Sequence, residues 1–142
     1  MSYVLDASVV AKWILVKEEH QENAIKIKND YVAKRVELSS IDFVVEEVAN
    51  ALWKAHKLER ISRDDAVEAM KVLGAMGISL HKLGWSQVAE AMGIAFDLGT
   101  TVYDASYVYL SDELGLPLIT ADRRLYDVAR NSFKVVYIGD YQ

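Results

Sequence analysis

An alternation constrains this chain more than any other feature. Short apolar runs are separated by longer segments whose apolar residues recur at helical spacing. Tyr3-Val4-Leu5, Val36 to Ser39, Ile78 to Leu83, Leu118-Ile119-Thr120 and Val135 to Ile138 read as strands. Helical segments run from near Ser8 past Trp13, from Glu18 to Lys34, and from Val44 to about Lys57. Further ones run from Ser62 to about Leu73, from Ser86 to Leu98, from Asp104 to Leu114, and from Asp122 to Ala129. Thr101-Val102 reads as one more short extended piece. Strands alternating with helices predict a three-layer α/β/α domain, with a mainly parallel sheet covered on both faces.

Local signals support these boundaries. Val44, Val45, Val48, Ala51, Leu52 and Ala55 form one apolar helix face. Ser62-Arg63-Asp64-Asp65 resembles a capping box, with Asp where Glu or Gln is usual. Ser86 is placed to cap the next helix, and Gly74, Gly77, Gly99 and Gly115 punctuate helix ends. No linker, repeat or low-complexity tract interrupts the 142 residues, so residues 1–142 read as one domain. A chain of this length buries about 68–70% of its unfolded surface and needs no covalent staples.

Composition removes several function classes. There is no cysteine, which excludes disulfides, thiolate metal sites and cysteine nucleophiles. The start, MSYVLDAS, has no basic region followed by a long apolar run, so no signal peptide is expected. No apolar stretch reaches the roughly 18–20 residues of a membrane span. The expectation is a soluble cytoplasmic protein with no membrane partner. The net charge of −5 argues against broad electrostatic attraction to nucleic acid, so any such substrate needs a local explanation.

Four acids carry the functional reading. Asp6 follows the first strand, Asp122 follows Leu118-Ile119-Thr120-Ala121, and Asp104 follows Thr101-Val102. Each of them could simply cap a helix. Glu46 and Glu47 lie within a helical pattern, where neighbours point about 100° apart, so only one can face a given site. Asn50 lies one turn from both and does not choose between them. Taken together the acids say more. In open α/β sheets ligands bind beyond the carboxyl ends of the strands. Carboxylates gathered there repel one another unless cations neutralise them. Oxygen ligands suit Mg²⁺ (magnesium), with Mn²⁺ close in preference. Such ions activate water and stabilise charge on a scissile phosphate. His20, His56 and His81 are scattered and read as ordinary surface or partly buried residues. Trp13, Trp53 and Trp85 read as packing residues.

The order and spacing of four segments resemble the PIN domain family, and within it the VapC toxins of toxin–antitoxin pairs. The segments are Tyr3-Val4-Leu5-Asp6-Ala7-Ser8, Glu47-Val48-Ala49-Asn50-Ala51-Leu52, and Val102-Tyr103-Asp104-Ala105-Ser106-Tyr107 with Leu110. The last is Leu116-Pro117-Leu118-Ile119-Thr120-Ala121-Asp122-Arg123-Arg124-Leu125. The resemblance implies Asp6, Glu47, Asp104 and Asp122 as catalytic and metal-binding acids, and it is what selects Glu47 over Glu46. It implies that Ser8 and Thr120 support the carboxylates, with Asn50 beside them. It further implies Mg²⁺ or Mn²⁺, cleavage of RNA to a 5′-phosphate and a 3′-hydroxyl, a homodimer, and a VapB-like antitoxin. Ile41 stands where many relatives have proline, and Glu46 adds an unusual neighbouring acid. Four of the 21 acids would then sit on cations, which reverses the local potential. Lys12, Arg123 and Arg124 lie near the expected site and could contact phosphates.

Three rivals fit less well. A phosphatase with an Asp nucleophile wants a second Asp two residues later, where this chain has Ser8. A phospho-acceptor signalling domain wants a Lys after a late strand, and Arg123-Arg124 follow Asp122 instead. A non-catalytic PIN-like scaffold would have no reason to gather four costly charges.

Overall fold

The computed structural model describes residues 1–142. Five strands form one sheet: β1 (Ser2–Leu5), β2 (Glu37–Ile41), β3 (Ser79–His81), β4 (Leu118–Thr120) and β5 (Val135–Tyr137). Seven α-helices connect them: α1 (Ala7–Ala11), α2 (Gln21–Val32), α3 (Val44–Lys57), α4 (Arg63–Ala75), α5 (Trp85–Leu98), α6 (Val102–Leu114) and α7 (Arg123–Ala129). The strand order is β3-β2-β1-β4-β5, and every pairing is parallel.

This order follows from the strands' composition. β1 and β4 are apolar on both faces, as central parallel strands must be: Val4, Leu5, Leu118 and Ile119 are fully buried. β3 and β5 are the edges, and Leu80 on β3 is exposed. Parallel pairing requires crossovers, and crossovers are right-handed. The chain steps outward from β1 to β2 to β3, returns over the sheet through α5 and α6, and then steps from β4 to β5. Right-handedness therefore puts α1–α4 on one face and α5–α7 on the other. The three-layer α/β/α reading holds, with a sheet that is wholly rather than mainly parallel.

Several local boundaries differ from the sequence reading. Thr101-Val102 is not an extended piece. The β-branched pair reads as strand, but the Thr101 hydroxyl accepts the Asp104 N–H at 3.1 Å and opens α6 at Val102. The strand expected over Ile78 to Leu83 shrinks to Ser79–His81, with nothing beyond it to pair. Helix α2 begins three residues later than expected and ends two earlier. Gly84, not Ser86, is the N-cap of α5, and the Gln87 side chain accepts the Gly84 N–H at 2.9 Å. The Ser62 cap forms on one side, its hydroxyl accepting the Asp65 N–H at 3.1 Å.

The tryptophans divide. Trp13 is buried and donates its Nε1–H to the Ala24 carbonyl at 2.8 Å. Trp53 is 54% exposed and Trp85 98% exposed, so neither packs in the core. Helix α5 is apolar on both faces. Ala91 and Ala95 turn inward, while Val88, Met92 and Phe96 join Trp85 on the outside.

Candidate active site

The sequence steps outward from β1 in one direction and from β4 in the other. The sheet's topological switch point therefore lies between these two central strands, where an open α/β sheet leaves a crevice beyond its carboxyl ends. Asp6 directly follows β1, and Asp122 stands two residues past β4. Residues 112 or more positions apart in sequence are thereby brought into hydrogen-bonding contact.

Asp6 is the most constrained of the acids. It is only 4% exposed and caps α1, accepting the Ser8 N–H at 3.0 Å and the Val9 N–H at 3.4 Å. The hydroxyls of Ser8 and Thr120 both donate to its carboxylate. Each hydroxyl is also an acceptor. Ser8 Oγ takes the Ala121 N–H at 2.9 Å, and Thr120 Oγ1 takes the Asp122 N–H at 3.0 Å. Two hydroxyls thus tie the buried acid to the turn that carries Asp122. Burial pushes the Asp6 pKa up to about 6, against the lowering by Ser8 and Thr120, and the Asp104 charge adds to the rise.

The other acids connect to it in series: the Asp104 charge reaches Asp6, and those of Asp122 and Glu47 reach Asp104. Asp122 caps α7, its Oδ1 accepting the Arg124 and Leu125 N–H groups at 3.0 and 3.2 Å. Both bonds fall on one oxygen, which leaves Oδ2 for another partner. Asp104 lies in the first turn of α6, not beyond a strand. Its pKa is raised by partial burial, then by the charges of Asp122 and Glu47, while Thr101 and Arg124 oppose the rise. Glu47 lies in the first turn of α3 and accepts the Tyr107 phenol at 2.7 Å. Tyr107 is 1% exposed, and burial and Glu47 hold its proton well above the usual tyrosine range. Glu46 is exposed.

Not every candidate joins the cluster. Asn50 is exposed and is not hydrogen-bonded to any of the acids. Arg124 lies close enough to Asp104 to lower its pKa. Arg123 is held away, paired with Asp127 at 3.3 Å and lying over the rings of Tyr137 and Tyr126. Lys12 closes α1 and forms no ion pair. Two contributors escape the sequence reading, Tyr107 and Thr101. The signal for Tyr107 is its place three residues after Asp104, which puts both on one helix face.

The donor set is all oxygen, which fits Mg²⁺ or Mn²⁺ and not a structural zinc. No three of these acids converge closely enough to enclose an ion by themselves. Mg²⁺ does not need that, because it keeps several waters and takes one or two carboxylates together with substrate phosphates.

A parallel α/β domain with carboxylates gathered at its switch point offers an acidic crevice whose all-oxygen donors suit hard cations. The PIN domain family profile matches residues 3–131. The chain is 35% identical over 126 residues to ribonuclease VapC3 of Pyrobaculum aerophilum, covering 88% of this chain and 92% of that one. It is 31% identical over 105 residues to exonuclease VapC9 of the same organism, covering 74% and 77%. The crystal structure of PAE2754 from Pyrobaculum aerophilum superposes with a TM-score of 0.70 at 27% identity, covering 98% of this chain and 90% of that one. The chain belongs to the PIN domain family and stands within it among the VapC-like nucleases.

Proposed function

We propose that this protein is a divalent-metal-dependent endoribonuclease and the toxin of a VapBC-type pair. The observation that carries the reading is the buried Asp6 carboxylate, held by two hydroxyls beside Asp104, which in turn feels Asp122 and Glu47. Asp6, Glu47, Asp104 and Asp122 are the residues that would hold Mg²⁺ or Mn²⁺. A bound cation supplies Lewis-acid stabilisation of the phosphoryl group and offsets the repulsion among the acids. Ser8 and Thr120 keep the Asp6 carboxylate oriented and favour its charged form. Tyr107 holds the Glu47 carboxylate in one rotamer by a charge-assisted hydrogen bond. Arg124, whose charge reaches Asp104, would contact the substrate's phosphates, with Lys12 as a further candidate, while Arg123 is engaged by Asp127 within α7.

The cellular reading rests on family membership: a cytoplasmic RNA substrate, a VapB-like antitoxin that neutralises the enzyme, and a homodimer. The outward apolar stripe of α5, Trp85, Val88, Met92 and Phe96, supports a second copy as partner. No helix is long and apolar enough to cross a membrane.

The test is cleavage of RNA with Mg²⁺ or Mn²⁺, comparing the wild-type protein with Asp104→Asn. A circular RNA distinguishes an endonuclease from an end-dependent enzyme. Cleavage that survives chelation, or equal cleavage by the variant, sinks the proposal.

A further inference from the structure

An aromatic pair at the rim of the acidic site lies outside the hydrophobic core. Phe43 and Tyr103 stack with ring centroids 5.1 Å apart and planes 15° from parallel. Phe43 is the N-cap of α3, one turn before Glu47, and Tyr103 directly precedes Asp104 on α6. The pair therefore bridges the two helices that bring Glu47 and Asp104 to the site. Neither ring packs in the hydrophobic core. Val44, Val48 and Leu52 do that work for α3, and Ala105, Tyr107 and Val108 for α6. Phe43 is 37% exposed and Tyr103 58% exposed, so the stack presents ring surface to solvent.

We infer that this pair is a stacking platform for an unpaired nucleobase next to the scissile phosphate. The inference rests on the ribonuclease reading. Unpaired bases are bound by stacking on aromatic side chains, and a base held in a duplex is not available for this. The platform also bears on the charge problem. A protein with a net charge of −5 gains little from general attraction to a polyanion, whereas stacking is insensitive to that charge. Its place beside Glu47 and Asp104, rather than anywhere else on the surface, is what assigns it to a base flanking the cleavage point. The platform selects single-stranded RNA and tolerates any base, because every base has a ring face.

The test is an abasic scan. Short single-stranded RNAs, each with one base removed near the cleavage point, are titrated by fluorescence anisotropy in Mn²⁺ against an Asp122→Asn protein. A duplex of the same sequence is the control. The same RNAs are then titrated against that protein carrying Phe43→Leu and Tyr103→Leu, which keeps apolar bulk and removes the rings. One abasic position weakens binding about 5- to 150-fold in the parent. The Leu variant binds intact RNA with a similar loss and no longer responds to that abasic site. The inference is overturned if no position matters, if the abasic loss persists in the Leu variant, or if the duplex binds as well as the single strand. A Leu variant that loses Mn²⁺ affinity instead would show a mere clasp between α3 and α6, which also overturns it. Parallel cleavage by the wild-type protein separates the two readings. Stacking without cleavage refutes the ribonuclease, and cleavage without stacking refutes only the platform.

Discussion

Replacing Asp6 with Asn should stabilise the protein while abolishing its activity. Asp6 is 4% exposed, and its pKa rises from 3.8 to about 6 on folding. Between these values the folded state binds a proton that the unfolded state has lost, so stability falls as pH rises through that window. Above it, holding the buried charge costs roughly 3 kcal/mol relative to a neutral group, because each tenfold change in proton affinity is worth about 1.4 kcal/mol. Asn is neutral and nearly isosteric. Its oxygen can accept the Ser8 and Val9 N–H groups, and its amide can donate to Thr120 Oγ1, which already accepts the Asp122 N–H. Imperfect exchange of these bonds offsets part of the gain, leaving about 1–3 kcal/mol. For a domain of this size that is a rise in Tm of roughly 3–10 °C. The assay is thermal unfolding of both proteins in chelator at pH 7.5 and pH 4.5. The electrostatic part of the gain should shrink to roughly a third at pH 4.5, where wild-type Asp6 is mostly neutral in the fold. Adding Mn²⁺ at pH 7.5 should raise the wild-type Tm more than that of Asp6→Asn. An Asn variant no more stable than wild type at pH 7.5, or with an undiminished gain at pH 4.5, would refute the reasoning.

Other substitutions test separate joints of the site. Tyr107→Phe removes the 2.7 Å bond to Glu47 and should lower kcat by about 10- to 150-fold, since a charge-assisted bond is worth roughly 1.5–3 kcal/mol. Its Mn²⁺ titration midpoint should rise in the same measurement. Asp122→Asn keeps the α7 cap, so Tm should hold while RNA cleavage collapses; Asp122→Ala should lose activity and also about 1 kcal/mol of stability by urea unfolding. Far from the site, Asp30 accepts hydrogen bonds from Lys26, Arg35 and Tyr141, and these hold its pKa at about 2. This depressed value gives stability above 3.8 that is lost as pH falls toward 2, so Asp30→Asn should flatten the Tm-versus-pH curve in that window.

Much of this is legible in the chain itself. β1 and β4 announce themselves as short apolar runs with a buried residue at every position but one, because a central parallel strand has no solvent face. Asp6 and Asp122 can be placed at strand ends for the same reason. The order of the motifs carries the resemblance to the family the chain belongs to, and that resemblance is what singles out the four candidate acids and the two hydroxyls. The start of α6 does not, because Thr101-Val102 has strand composition and only the Thr101 hydroxyl on the Asp104 N–H decides for helix. Trp85 reads as a packing residue yet stands in solvent, because both faces of α5 are apolar and periodicity says nothing about which face meets the sheet layer.

What the sequence alone determined is the alternating α/β architecture and an inventory of acids able to hold hard cations. What the tertiary structure decided is which of them meet. Glu46 and Glu47 are adjacent on α3, and only the packing of α6 against the sheet brings Tyr107 to Glu47. Likewise Ser8 and Thr120 become a bridge between Asp6 and the Asp122 turn only because β1 and β4 pair at the switch point. Local propensity acts over a few residues, whereas the direction of a side chain into a shared crevice is set by strand order and helix packing across the whole domain.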